Sequence, residues 1–464
     1  MNVDHEGTAD LIDDELIAWI ASVTDAVKVR TERRSGGASR AGYAVDIERA
    51  DATTDELWLR IDTGYGPQSS TVYTVRREGA VYRALRDSAV RVARLIAIHP
   101  ARDAFLAERL TGRNWFSEIQ DPVEQVTTAR EFMQQLAALH AIDVTTLDLP
   151  ELGAPTTPSR HVRDELDIWH AQYRETAADD PVLSLAFAWL AAKLPPDGEW
   201  PVVLVQGDTG PGNFMYQDGR VIAVMDWEMA HWGDIHDDFG WLCVRDVQER
   251  FTHLPDRFRD YEQFGGRALD IDRLRYFRVL AQTRCAVGTR RGLLARDSRG
   301  EIANHLIYST LHLRLLADAL AEAIGLPATG DGGHVVHALL PPGDNGWLFD
   351  VALDDLRTVV VPALTPGFVL QRTKGLARLV KYLRSADRLG PTIAAAERDE
   401  LAVLLGTPID DLGHARRDLC ARLESGTIDH AAVAAYCLRH TARTTEVARD
   451  AMGSLADRRY SPIV

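Results

Sequence analysis

The 464-residue sequence has little that would mark an exported, membrane-spanning or nucleic-acid-coating protein. It holds only four cysteines, Cys243, Cys285, Cys420 and Cys437, scattered without the spacing of a zinc site or a disulfide framework. That usage reads as a reduced, cytoplasmic protein with buried free thiols. No apolar stretch approaches a membrane span, and the acidic opening MNVDHEGTADLIDDELIAWIASV has too short an apolar run for a signal peptide. Positive charge is in deficit, with 52 Lys+Arg against 68 Asp+Glu and a net charge of −16. This favours solubility and argues against non-specific binding to nucleic acid or anionic lipid. Internal repeats, low-complexity tracts and a G-x-G-x-x-G loop are all missing. What remains is 46% hydrophobic and 26% charged, in a chain too long for a single core, so two or three globular domains are expected.

The pattern changes along the chain. Residues 10–28 repeat their apolar positions as a helix does, through Leu11, Leu16, Trp19, Ile20 and Val23. DELWLRID, residues 55–62, alternates as a strand, with Leu57, Leu59 and Ile61 on one side. TVYTVRREGAVYRAL then reads as a helix, and RLIAIH and AFLAERL as two short strands. From residue 122 long helical patterns take over, interrupted by the strand VVLV and by NFMYQDGRVIAVMD, a hairpin with Asp218-Gly219 as its turn. Residues 325–346 are rich in Gly and Pro and read as a linker. Beyond them the chain is helical again, with polar breaks expected near 390, 407 and 425.

Chemistry concentrates in VLVQGDTGPGNFMYQDGRVIAVMDWE, residues 202–227. A phosphoryl acceptor needs a carboxylate to orient its hydroxyl and take its proton, and nearby oxygen ligands for Mg²⁺. Asp208 with Asn213 five residues on has the spacing of a kinase catalytic loop, and the short hairpin would return Asp226 beside Asn213. Alone, Asp208 and Asn213 could equally be turn residues. Arg60 lies on the face of its strand opposite the apolar residues, and Glu78 shares a helical face with Val75 and Tyr82. An inward carboxylate needs a cationic partner, so Arg60 and Glu78 are a candidate phosphate-positioning pair. SGGAS, residues 35–39, could cover phosphates with its backbone amides through Gly36, Gly37 and Ser39, although many hairpins contain such a turn. HWGDIHDDFGW, residues 231–241, tempts a metal-hydrolase interpretation. No further ligands appear at zinc-like spacing, and Asp234 and Asp238 are better read as capping the next helix and bracing the catalytic loop. His140 reads as a satisfied core histidine.

SGGAS, WLRID, the glutamate of RREGAVYRAL, FLAERLTG and the run QGDTGPGN to MDWEMAHWGD, taken in order, resemble the aminoglycoside phosphotransferase-like family of small-molecule kinases. The resemblance covers about residues 30–320, and looks nearest to the kinase-like domains associated with acyl-CoA dehydrogenases. It implies an α+β, two-lobed protein-kinase-like fold, with an antiparallel-sheet N-lobe and a mostly helical C-lobe. The expected divisions are an N-terminal helix at 1–30, the N-lobe at 31–112, the C-lobe at 113–324, a linker at 325–349 and a helical domain of unknown role at 350–464. It also implies ATP or GTP as donor and a small-molecule hydroxyl as acceptor. Asp208 would be the base, Asn213 and Asp226 the Mg²⁺ ligands, and Glu108 through Leu110 the hinge facing the adenine. Two departures stand out. Gln206 occupies the place of the family's histidine, and Arg60 that of its strand lysine.

The competing expectation is a pseudokinase, which binds nucleotide as a scaffold without turnover. For the acceptor pocket, residues 155–195 offer Asp164, Glu165 and Asp167, which would suit an amine. Residues 250–315 offer Arg284, Arg290 and Arg291, which would suit a carboxylate or phosphate. Both sets read equally well as solvated faces.

Overall fold

The computed structural model describes residues 11–34, 40–64, 71–176, 179–294, 302–326, 343, 345–365 and 367–464. The chain divides into two compact units that do not follow linear order: Met1–His161 with Asp197–Asp270 and Ser461–Val464, and Val162–Pro196 with Ile271–Tyr460.

The first unit opens on helix α1 (Asp14–Thr24), whose N-terminus is capped by Asp13 accepting the Leu16 N–H at 2.9 Å. Asp25 takes the left-handed conformation at its end and turns the chain into β1 (Ala26–Arg34). With β2 (Arg40–Arg49), β3 (Thr54–Asp62), β4 (Leu95–Ile98) and β5 (Ala104–Glu108), it forms an antiparallel sheet of order β1-β2-β3-β5-β4. Leu57, Leu59 and Ile61 bury against Leu16 and Ile20 of α1, as their alternation predicts. The same alternation sends Arg60 to the other face, in register with Gly42 on one side and Phe105 on the other. Helix α2 (Val75–Leu85) is anchored by Thr74, which accepts the Arg77 N–H, and by Asp103, which accepts those of Val75 and Arg76 at 3.0 and 2.6 Å. Gly79 lets α2 lie close on the sheet, since a Cβ there would stand 3.1–3.2 Å from Ile98 and Phe105. That approach fixes the neighbouring Glu78 beneath the strands.

Helix α3 (Pro122–His140) then leads, after an excursion through the second unit, to strand β6 (Val203–Val205). Strands β7 (Phe214–Gln217) and β8 (Arg220–Val224) form the hairpin, with Asp218 and Gly219 both at positive φ as the turn requires. Strand β9 (His231–Gly233) pairs back on β6. Helix α6 (Ile235–Gln248), capped by Asp234, and α7 (Leu254–Gln263) complete the unit.

The second unit is helical. It takes most of α4 (Pro158–Glu175), then α5 (Pro181–Ala192), α8 (Ile271–Leu294), α9 (Ile302–Ile324), α10 (Trp347–Asp355), α11 (Phe368–Leu405), α12 (Leu412–Glu424) and α13 (His430–Met452). The breaks expected near 407 and 425 are present, but the one near 390 is not, because α11 runs straight through Gly390-Pro391. An interior proline costs a helix roughly 3 kcal/mol. Tertiary contacts offset it here. Glu397 receives Arg416 at 2.6–2.8 Å and the Tyr436 hydroxyl at 2.8 Å, while Leu401 and Leu405 are buried beyond it. Among the described residues no helix is long and apolar enough to cross a membrane.

One buried acid gives this unit a pH dependence. Burial pushes the Asp318 carboxyl on α9 up to about 7, against the lowering pull of Arg278. A carboxylate raised above its unfolded value favours the fold at low pH, and loses that contribution as pH climbs through the folded value. Asp318→Asn is therefore expected to raise the melting temperature at pH 8 by roughly 5 °C and to change it little at pH 4.5. Parallel melting curves for the two proteins from pH 4.5 to 8 would count against this reading.

Candidate active site

Strand β6 delivers the chain into the loop Gln206–Asn213, and positive-φ glycines let that loop hug its neighbours. A Cβ on Gly207 would meet the Met229 carbonyl oxygen at 2.3 Å, and one on Gly210 would meet the Arg245 Cβ at 2.6 Å. Gln206 braces the loop from inside. Its amide donates to the backbone oxygens of Met225 (2.9 Å) and Asp226 (2.8 Å), and its Oε1 accepts the Asp208 N–H (2.8 Å) and the Thr209 hydroxyl (3.1 Å). One glutamine thus holds both ends of the segment that presents Asp208 and Asp226. Gln206→His, which keeps a bracing side chain, is expected to leave turnover within about tenfold of the parent in an initial-rate assay, or ~1.4 kcal/mol in barrier. A thousandfold loss would mean that the amide's four contacts are individually required.

Asp238 on α6 supports the same loop from below. Wholly buried, it accepts the N–H groups of Gln206 and Gly207 at 3.1 Å each and the Thr209 hydroxyl, and pairs with His140 Nε2 at 2.9 Å. His140 in turn contacts the Tyr261 hydroxyl at 2.9 Å. His231 pairs with Asp237 at 3.1 Å and His236 with Asp234 at 2.7 Å. The HWGDIHDD run is thereby consumed in bracing and capping, and no group of three or more metal-ligating His, Cys, Asp or Glu occurs among the described residues.

Asn213 donates its side-chain amide to the Asp208 carbonyl at 2.6 Å, and its own carbonyl accepts the Met225 N–H at 2.8 Å. The hairpin thus returns the residue before Asp226 to Asn213. Asp226 itself sits in the left-handed region at φ 57°, ψ 59°, a strained conformation for a non-glycine residue and a frequent feature of functional sites.

Above it, Arg60 joins three carboxylates. Its Nε lies 3.3 Å from Glu78, and one terminal nitrogen lies 2.8 Å from Asp226 and 3.3 Å from Glu228. Burial pushes Glu78 up to about 7, opposed by Arg60. Burial and the neighbouring Asp226 carboxylate push Glu228 up to about 8. The Arg60 guanidinium is held charged by the three acids despite its own burial. Oxygen donors of this kind suit Mg²⁺, which binds through one or two carboxylates together with substrate phosphates and needs no all-protein cage. The side chains of Asn213, Asp226 and Glu228 carry oxygen donors of that kind.

Two participants escaped the sequence reading. Arg245 on α6 grips the Asp208 carboxylate with two nitrogens, Nε to Oδ1 at 2.7 Å and a second, closer contact to Oδ2. Burial raises the Asp208 carboxyl above its ordinary value, with Arg245 pulling the other way. The available signal was helical spacing: Arg245 follows Asp238 by seven residues, two turns along one helix face, and both meet the same loop. Glu228, two residues past Asp226, is the other.

The remaining expectations divide. Gly36, Gly37 and Ser39 lie outside the described residues. Glu108 ends β5 opposite Leu57, with its carboxylate accepting the Arg94 N–H at 2.8 Å, and Leu110 lies half-buried just beyond. In the second unit Arg284 pairs with buried Glu165 at 3.0 Å, Arg290 with Asp180 at 2.9 Å and Arg291 with Glu175 at 3.2 Å. These arginines are thus neutralised within the unit, as is Glu165 among the acids.

Residues 30–277 match the model of the phosphotransferase enzyme family. Among curated proteins, acyl-CoA dehydrogenase family member 11 of Rattus norvegicus is 30% identical over 126 residues, 26% of this chain and 16% of that protein. Family member 10 of Mus musculus is 26% identical over 128 residues, 27% of this chain and 11% of that protein. The chain therefore spans less than a fifth of the length of these relatives. A Ralstonia eutropha protein solved as a candidate aminoglycoside phosphotransferase superposes with a TM-score of 0.51 at 20% identity, covering 65% of this chain and 94% of that one. The resemblance drawn from the motifs agrees with these matches, and the fold is kinase-like.

Proposed function

Because the chain belongs to the phosphotransferase enzyme family, we propose that it is a small-molecule kinase that moves the γ-phosphate of ATP, or of GTP, to a hydroxyl of its acceptor. The observation that carries this proposal is the convergence of Asp208, Asn213 and Asp226 at the foot of one hairpin, with the Arg60–Glu78 pair joined to Asp226. In this proposal Asp208 orients the acceptor hydroxyl and takes its proton, and Arg60, fixed by Glu78, positions the nucleotide phosphates. Asn213 and Asp226, with Glu228 beside them, would hold Mg²⁺, which offsets the negative charge gathered on the transferring phosphate. Glu108 through Leu110 would face the adenine. The burial of Cys243, Cys420 and Cys437 suits a reducing cytoplasm.

A nucleotide-binding protein without turnover is the second reading, and one observation favours it. Both key aspartates are held by arginines, Asp208 by Arg245 and Asp226 by Arg60. The test is ATP consumption across a panel of hydroxylated metabolites with Mg²⁺ present. Transfer to any acceptor, lost in an Asp208 variant, establishes the kinase. ATP binding with no transfer to any compound supports the scaffold.

Arg60→Ala is expected to weaken ATP binding by about 10- to 100-fold, measured calorimetrically, because a guanidinium can bridge Glu78 and a phosphate at once. Unchanged affinity in a folded variant would remove Arg60 from the nucleotide site.

A further inference from the structure

In the second unit, residues 347–383 carry eight large apolar side chains that face solvent, among them Trp347 (60% exposed), Val359 (62%), Val369 (59%) and Leu376 (51%). Apolar surface gathered this densely usually marks an interface. On α11, Val369, Leu376 and Leu383 recur every seven residues and form one stripe. From 369 to 389 only Leu389 is buried, whereas the second half of the helix buries Glu397, Leu401 and Leu405. The stripe borders a groove of about 710 Å³ between α11 and the start of α9, walled by Ile302, Ala303, Val369, Leu376 and Leu379.

Charge identifies the occupant. Residues 369–389 hold six cations, including Arg372, Lys374, Arg378 and Lys381, against the single acid Asp387. The neighbouring α10 has the opposite character: exposed Trp347, Leu348 and Val351 share it with exposed Asp350, Asp354 and Asp355, and it has no cation. Asp350 reaches Arg384 and Asp354 reaches Arg357, both at 2.6 Å, but these are solvent-facing pairs worth little and easily exchanged. An anionic membrane would meet the acidic α10 along with the basic α11 and be repelled by part of the patch. A second copy meets both halves with their complements.

We propose that this face is a homodimer interface. The apolar, acidic face of α10, led by Trp347, seats in the basic α9–α11 groove of a second copy, and the contact is returned about a two-fold axis. Each copy offers one ridge and one groove, so the assembly closes at two. A buried tryptophan at its centre would carry a large share of the affinity.

Sedimentation velocity on the full chain from about 0.5 to 100 µM tests this directly. A dimer is expected, and Trp347→Asp or Leu376→Glu should each weaken it by about 30-fold or more. All substituted positions are wholly or partly solvent-facing, and an unchanged thermal shift with ATP would confirm folding. Reversing charges on the basic half of α11 with Lys374→Glu and Lys381→Glu should also weaken association. Adding Asp354→Lys and Asp355→Lys in the same chain should restore it to within a few-fold, which general stickiness would not do. A monomer at 100 µM overturns the proposal, as does a dimer indifferent to Leu376→Glu. Capture of the protein by vesicles of 30% phosphatidylserine in phosphatidylcholine, lost in Leu376→Glu, overturns it in favour of a lipid surface.

Discussion

Asp208→Asn is expected to lower phosphate transfer by about 10²- to 10⁴-fold, the usual contribution of a positioned general base, while Mg²⁺-dependent ATP binding stays within about threefold of the parent. The two readouts separate because Asp208 is tied to Arg245 and Asn213, whereas in the proposed site the phosphates meet Arg60, fixed by Glu78. Asparagine keeps the shape and one acceptor oxygen, so the loop braced by Gln206 and Asp238 has no reason to collapse. It cannot take a proton. Burial has raised the Asp208 carboxyl above its ordinary value, which makes it a better proton acceptor than a surface aspartate. Because transfer needs the deprotonated form, the parent's rate should rise with pH through that raised value, and the residual rate of the variant should not follow. Arg245→Ala adds a further arm. If the arginine only restrains the base, its removal should leave ATP affinity unchanged and shift the pH profile upward, because the charge that lowers the Asp208 carboxyl is gone. Full activity in Asp208→Asn would remove that residue as the base.

The sequence carried this site unevenly, for physical reasons. Arg60 could be placed because strand alternation is a local rule, and three apolar neighbours fixed which side it took. Glu78 followed from helix periodicity, and Gln206 from the two hydrogen-bonding functions of an amide. Arg245 was missed because its one signal, a place two helical turns from Asp238, does not by itself tell an arginine pointing at a loop 37 residues earlier from one pointing at water. Reading Glu165 and Arg284 as acceptor-pocket charges or as solvated faces missed their mutual pairing for the same reason. Each looked available to a ligand until the fold brought them to 3.0 Å. The break expected at Gly390-Pro391 overvalued a local penalty that the packing of Glu397, Leu401 and Leu405 outweighs. Local rules placed residues on faces, and only the tertiary arrangement decided which charges were already spent.

Asp226→Asn should separate two roles that most variants would confound. Its carboxylate is close to the Arg60 guanidinium at 2.8 Å and follows directly on Met225, whose N–H is held by Asn213. In the proposed site it gives Mg²⁺ a full negative charge, and asparagine would give only a dipole. Losing one charged partner of this kind costs roughly 2–3 kcal/mol net, so ATP affinity with Mg²⁺ present should fall about 30- to 100-fold. Without the metal the sign reverses. Asp226 then repels the triphosphate, and it competes for Arg60. Its neutral variant should bind metal-free ATP as well as the parent or better. Calorimetric titration of both proteins with ATP, in Mg²⁺ and in EDTA, reads the two terms separately. Equal weakening under both conditions would show that Asp226 shapes the pocket without serving the ion, and the metal assignment would pass to Asn213 and Glu228.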